Sequence, residues 1–366
     1  MKQHVTELFT SVIGFALMAA PALLSATNPY TVVQVASAVP SNGDLNPYGV
    51  AMVERTSGNL IQGHILVSNF NNSANLQGTG TTIVDIAPNG TASLFAWIDA
   101  SSLPGQCPGG VGLTTALVVL RAGWVIVGSL PTTDGMSDTA QAGCLLVLNN
   151  QGAVVETIVN TLINGPWDMT VLDQDGTASL FVTNVLNGTV AGNGGIVDEG
   201  TVVRIDVAQS ATMMPVVQSM TVIGSGFAER TDPAALVIGP TGLALAPDAT
   251  LYVADSLNNR IMSIGNAVNR TSSAGNGVLF SNDSNFNDPL GLAIRPNTGE
   301  VLAVNGNNGV MVVLASNGTL ISTGLIARSG TPPGAGALFG LATSSSGLYF
   351  VNDATNTLNL LSNGLQ

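Results

Sequence analysis

A short motif recurs along the chain: proline or another apolar residue, a variable residue, glycine, an apolar residue and alanine. It stands at Pro47-Tyr48-Gly49-Val50-Ala51, Pro240-Thr241-Gly242-Leu243-Ala244, Pro289-Leu290-Gly291-Leu292-Ala293 and Leu338-Phe339-Gly340-Leu341-Ala342. Pro166-Trp167-Asp168-Met169-Thr170 is a variant with Asp168 at the glycine position, and Thr114-Thr115-Ala116-Leu117 is a degenerate one. After each copy comes a second apolar run ending on a small or polar residue. These ends are Asn69, Ser129, Asn184, Asp255, Asn305 and Asn352. Third runs follow at Thr82–Ile86, Cys144–Leu148, Thr201–Ile205, Arg260–Ile264, Val310–Leu314 and Thr357–Leu361. Runs this short, broken by Gly, Asn, Asp and Pro and lacking helical periodicity, are strands. Six such units at spacings of roughly 50 to 70 residues define an all-β six-bladed β-propeller, one domain over residues 27–366.

The two ends of the chain fit a closed ring. The sixth unit stops near Leu361-Ser362-Asn363-Gly364, before any fourth strand, while a spare strand, Tyr30 to Val35, precedes the first unit. If that N-terminal strand completes the last blade, no edge is left open for pairing with another chain, and a monomer is the expectation. Residues 1–26 read as a secretory signal peptide: Lys2 near the start, an apolar stretch from Leu8 to Leu24 broken by Pro21, then Ser25-Ala26. An uncleaved anchor is the alternative. The stretch is short for a bilayer span, so a secreted or periplasmic protein without a transmembrane segment is expected.

At the fourth unit, Leu251-Tyr252-Val253-Ala254-Asp255-Ser256-Leu257-Asn258-Asn259-Arg260-Ile261 resembles the core of an NHL repeat. Gly239-Pro240-Thr241-Gly242-Leu243-Ala244 resembles its usual lead-in. Units five and six carry the pattern weakly, and the first three depart from it through long insertions. The resemblance implies a six-bladed propeller. It leaves the activity open, because that architecture hosts lyases, lactonases and plain binding platforms.

Composition removes much chemistry. Nine basic residues, Lys2 and eight arginines, face 22 acidic residues, for a net charge of −13. Nucleic acid is excluded as a partner, since phosphate binding needs a basic patch. The histidines are His4 and His64. His64 precedes a second strand and therefore lies at the opposite end from the six strand ends, which rules out a Ser-His-Asp triad there and any multi-histidine zinc site. Propellers similar to the streptogramin lyases rely on histidine. With signal cleavage no lysine remains for covalent catalysis.

In a propeller the second-strand ends share one face around the channel. Asn69, Ser129, Asn184, Asp255, Asn305 and Asn352 thus form a ring of oxygen and amide groups suited to Ca2+. The alternative is that each caps its own loop as an Asx turn. Propellers similar to gluconolactonase and paraoxonase use such an ion to polarise an ester carbonyl. That resemblance implies a calcium-dependent lactonase or esterase with Asn184, Asp255 and Asn305 as metal ligands and Asp168 as the catalytic carboxylate. It also implies a glutamate from the first blade's leading strand; here the nearest is Glu54, past Gly49. Glycine at the motif position lets neighbouring backbones approach. Asp168 there calls for a reason: either metal or general-base work, or a buried hydrogen bond tying blades two and three. Trp167 beside it either walls a pocket or packs between blades.

Cys107 and Cys144 both fall on the same face of blade two, flanking a long loop, and a disulfide between them suits an exported protein; two buried thiols are the alternative. The functional expectation is an exported binding or scaffold propeller for a small molecule or protein, with the calcium-dependent hydrolase as the competing reading. A structural protein of the cell envelope is a third.

Overall fold

A computed structural model describes residues 30–362. The signal peptide read at residues 1–26 lies outside them. Six sheets are arranged as blades. Blade one comprises Leu45–Met52, Ile65–Asn71, Thr82–Ile86 and Ala92–Trp97. Blade two comprises Leu113–Val119, Val125–Ser129, Cys144–Leu148 and Val154–Ile158. Blade three is taller: Pro166–Gln174, Thr177–Asn184, Val197–Ser210 and Met213–Asp232, with a short fifth strand, Leu236–Ile238, folded back on the fourth. Blade four holds Pro240–Leu245, Leu251–Asp255, Arg260–Ile264 and Val278–Ser281, and blade five Pro289–Ile294, Val301–Asn305, Val310–Leu314 and Leu320–Leu325. Blade six is Leu338–Ser344, Gly347–Asn352 and Thr357–Leu361, and its outer strand is the N-terminal Val32–Ser37, paired antiparallel with Thr357–Leu361. The ring is closed by the N-terminal strand, as its position ahead of the first repeat implies.

The continuous apolar runs follow from this packing. Each blade is covered on both faces by its neighbours, so strands such as Cys144–Leu148 and Leu251–Asp255 are buried throughout instead of alternating. Apolar clusters fill the wedges between blades; one joins Leu66, Ile83 and Phe95 of blade one to Leu113, Val127 and Leu146 of blade two.

The recurrent motif marks a bulge. In every blade the ladder between first and second strands shifts register there, as between Pro47 and Gly49 or Pro289 and Gly291. The glycines are required for space. A Cβ on Gly242, Gly291 or Gly340 would lie on the carbonyl oxygen of Leu290, Phe339 or Tyr48, each in the next blade. The inner strands touch backbone to backbone around the axis. Gly291→Ala is therefore expected to cost about 3 kcal/mol, because backbone on a closed ring has little room to relax. Gly265, with open space where its Cβ would be, is the control: Gly265→Ala should stay within about 0.5 kcal/mol of the parent in urea unfolding.

Candidate functional site

The axis is closed at one end. Tyr48 stacks on Phe339 with ring centroids 3.9 Å apart and on Phe70 at 4.6 Å, while Trp167 leans against Tyr48 at 6.4 Å. Leu130, Leu290, Leu236 and Val237 complete this buried plug. Leu236 and Val237 come from the fold-back strand of blade three. The turn before them reaches blade one, where the Gln77 side-chain amide donates to the Pro233 carbonyl at 3.1 Å. Trp167 thus packs in the plug, and the void it shares with Tyr48 and Phe70 is only about 10 Å³.

Beyond the plug the channel opens toward the hairpins that join first and second strands. This cavity, about 410 Å³, is lined by the later halves of the six inner strands, including Leu117, Met169, Leu243, Leu292 and Leu341. Inner strands pair on one edge only, so their free backbone N–H and C=O groups face the axis. The lining contains two carboxyls, Asp168 within the wall and Glu54, which is half exposed and ion-paired to Arg121 at 2.7 Å.

Asp168 Oδ2 accepts the Leu243 backbone N–H at 2.8 Å, and the Asp168 N–H donates to Thr183 Oγ1 at 3.0 Å. The carboxyl therefore ties blade three to blade four, not to blade two. Blades four, five and six make this junction by glycine against backbone; here a carboxylate takes the N–H. Burial pushes its pKa up to about 7, against the opposing hydrogen bonds from Leu243 and Met169.

The six strand-end residues do not line the channel cavity. They belong to second strands, and an inner strand stands between each and the axis. Their side chains serve their own loops or adjoining segments. Asn69 Nδ2 donates to the Ala38 carbonyl, Ser129 Oγ to the Gly110 carbonyl, and Asn305 Nδ2 to the Asn285 carbonyl. Asn184 Oδ1 accepts the Asn164 N–H, and Asn352 Oδ1 accepts from Ser329. Asp255 is fully buried and bonded by Arg260 Nε at 2.7 Å and by Asn258. This pair closes the turn within the NHL-like stretch. Asn184, Asp255 and Asn305 thus lie on blades three, four and five outside the channel cavity, while Asp168 lies in its wall, and the buried Oδ1 atoms of Asn69 and Asn305 have no hydrogen-bond partner. Among the described residues no group of three His, Cys, Asp or Glu side chains is placed to hold a metal ion.

His64 Nδ1 lies 3.0 Å from the Asp85 carboxylate within blade one. Cys107 and Cys144 form the expected disulfide, with Cα atoms 5.4 Å apart. The plug and the fold-back strand Leu236–Ile238 are features that no local pattern announces; the one sign is blade three's long strand sequence without an Asn-Gly turn between Val197 and Asp232.

Fold and cavity together define a six-bladed propeller with a channel blocked at one end. No protein-family model matches the sequence. No curated protein matches it either. Solved structures do share the fold. A gluconolactonase from Xanthomonas campestris matches with 13% identity and a TM-score of 0.56, over 92% of this chain and 90% of that one. Regucalcin from Agrobacterium tumefaciens, described as a calcium-binding protein, matches with 13% identity and a TM-score of 0.55, over 90% and 96%. Virginiamycin B lyase from Staphylococcus aureus matches with 12% identity and a TM-score of 0.52, over 91% and 99%. At such identity the similarity is one of fold.

Proposed function

We propose that this chain is an exported binding propeller that takes a small hydrogen-bond-donating ligand into the channel from the hairpin end. The observation that carries this reading is the blind, backbone-lined channel with one carboxyl, Asp168, set in its wall. Catalysis by paired carboxyls needs two in separate roles. The second carboxyl here, Glu54, is held by Arg121. The disulfide supports an oxidising compartment.

Asp168 supplies a test by pH. The folded protein keeps this carboxyl protonated to about pH 7, whereas the unfolded chain releases the proton near pH 4. Between those values the folded state binds more protons, so raising pH lowers stability, and above pH 7 that loss is complete. Asp288 and Asp353, raised by burial to about 6 and 7, titrate in the same window. The informative quantity is therefore the difference between the parent and Asp168→Asn. The variant should be the more stable above pH 7, by about 1–2 kcal/mol, and the difference should shrink toward pH 4.

Function is tested by thermal melts at pH 8 in EDTA with added methylammonium, guanidinium or calcium. The organic cations should raise the melting temperature of the parent but not of Asp168→Asn, and calcium should leave both unchanged. A calcium shift abolished by Asp168→Ala would instead establish the hydrolase reading and direct the search to lactones and esters.

A further inference from the structure

The outer rim of blades five and six departs from the rest of the surface. Val32 and Val33 open the outer strand of blade six, and Leu320 and Ile321 open that of blade five. All four are exposed, Val33 at 49% and Ile321 at 50%. Blade four repeats the arrangement on the flank with Val278 and Leu279. Each pair stands at the start of its strand, so the side chains form a belt at one level, the hairpin end. The belt is continuous across the blades. A Cβ on Gly324 of blade five would lie on the Tyr30 ring, and one on Gly318 would lie on the Phe280 carbonyl of blade four. Tyr30 Oη lies 3.1 Å from Ser322 Oγ.

Charge is missing from the same stretch. Residues 30–43 and 301–327 contain no Asp, Glu, Lys or Arg, in a chain whose net charge is −13. An outermost strand is ordinarily guarded by charge, as Glu156 guards that of blade two. Single exposed apolar residues need no explanation, but a contiguous uncharged belt marks a contact surface.

The chain itself says what lies against it. Tyr30, where the described residues begin, packs on the outer strand of blade five, and the apolar stretch Leu8–Leu24 ends five residues before it. A link of that length holds the end of the stretch within about 20 Å of the belt. Kept uncleaved, the stretch is a membrane tether, and the membrane it enters stands beside blades five and six. Anionic lipid is opposed by the net charge and finds no Lys or Arg on the belt. Lipid with zwitterionic headgroups meets neither obstacle.

We propose that this rim rests on a bilayer of zwitterionic lipid, with Val32, Val33, Leu320 and Ile321 at the boundary between headgroups and acyl chains. The Leu8–Leu24 stretch is the tether. Because the belt lies at the hairpin end, the open mouth of the channel stands next to the lipid surface.

The experiment reconstitutes the full chain into phosphatidylcholine vesicles with an environment-sensitive dye on Ile321→Cys or, across the ring on blade two, on Val159→Cys. Cys107 and Cys144 are joined to each other and do not take the dye. Lipid brominated on its acyl chains should quench the dye at position 321 at least about twofold and leave the dye at position 159 unchanged. Val32→Ser, Val33→Ser and Leu320→Ser combined should abolish that quenching while the tether keeps the chain on the vesicles. Phosphatidylglycerol mixed in at low salt should reduce it. The proposal is overturned if the vesicles do not retain the chain, if the dye at position 321 is not quenched or is quenched no more than that at 159, or if the serine variant behaves as the parent. Contact between dyes on separate copies without lipid would assign the rim to a second copy and overturn it as well.

Discussion

A chain that begins at Val39 should lose its cooperative unfolding transition near that of the parent, or melt far below it and associate. Val32–Ser37 contributes the outer strand of blade six, with five residues paired to Thr357–Leu361. Ala36 and Ala38 are buried, and Ala36 belongs to the cluster between blades six and one. Just past the strand, the Ala38 N–H donates to the Asn356 carbonyl at 2.9 Å. Removing it costs the ladder hydrogen bonds and this burial, about 5 kcal/mol or more in sum. It also leaves Thr357–Leu361 as an open edge, a template for pairing with another molecule. Denaturant unfolding and light scattering together read both effects. A synthetic peptide spanning residues 30–38 should restore part of the stability by adding itself as a strand. Unchanged melting and a monomeric truncated chain would show that the ring holds without this closure.

That closure was legible because it rests on counting: a unit lacking its last strand at one end and a strand without a unit at the other. The repeat was legible for a related reason. A bulge recurring at Pro-x-Gly leaves the same residues in each blade, and the need for glycine where backbones meet imposes it again at Gly242, Gly291 and Gly340. Asp168 stood out against that background and does take an unusual place, accepting a backbone N–H across a blade junction. The strand-end residues illustrate the opposite case. Sequence puts Asn69 or Asp255 at the right end of the right strand, but not behind which other strand. The side-chain partners that decide the matter, Ala38 for Asn69 and Arg260 for Asp255, depend on tertiary packing and turn geometry. The plug is less legible still. Tyr48, Phe70, Trp167 and Phe339 come from three blades and meet only when the ring closes.

The disulfide carries the other large effect. Cys107 and Cys144, 37 residues apart, should stabilise the fold by about 4 kcal/mol if their main action is to restrict the unfolded chain. The Cys107→Ala, Cys144→Ala double variant should then unfold at lower denaturant with its native state otherwise intact. The native loop has ties of its own. Thr132 N–H donates to the Gly78 carbonyl at 2.9 Å, Gly109 N–H to the Ala142 carbonyl at 2.8 Å, and Gly143 N–H to the Asn164 carbonyl at 2.7 Å. Those bonds hold the segment against blades one and three whether or not the sulfurs are joined, so loss of the crosslink acts on the unfolded ensemble more than on the loop. Comparing the double variant with the parent reduced by dithiothreitol separates the two contributions. Equal losses of about 4 kcal/mol place the effect in the crosslink; a larger loss in the double variant assigns the excess to packing of the buried Cys144 side chain. If neither treatment moves the transition, the crosslink does not hold the fold.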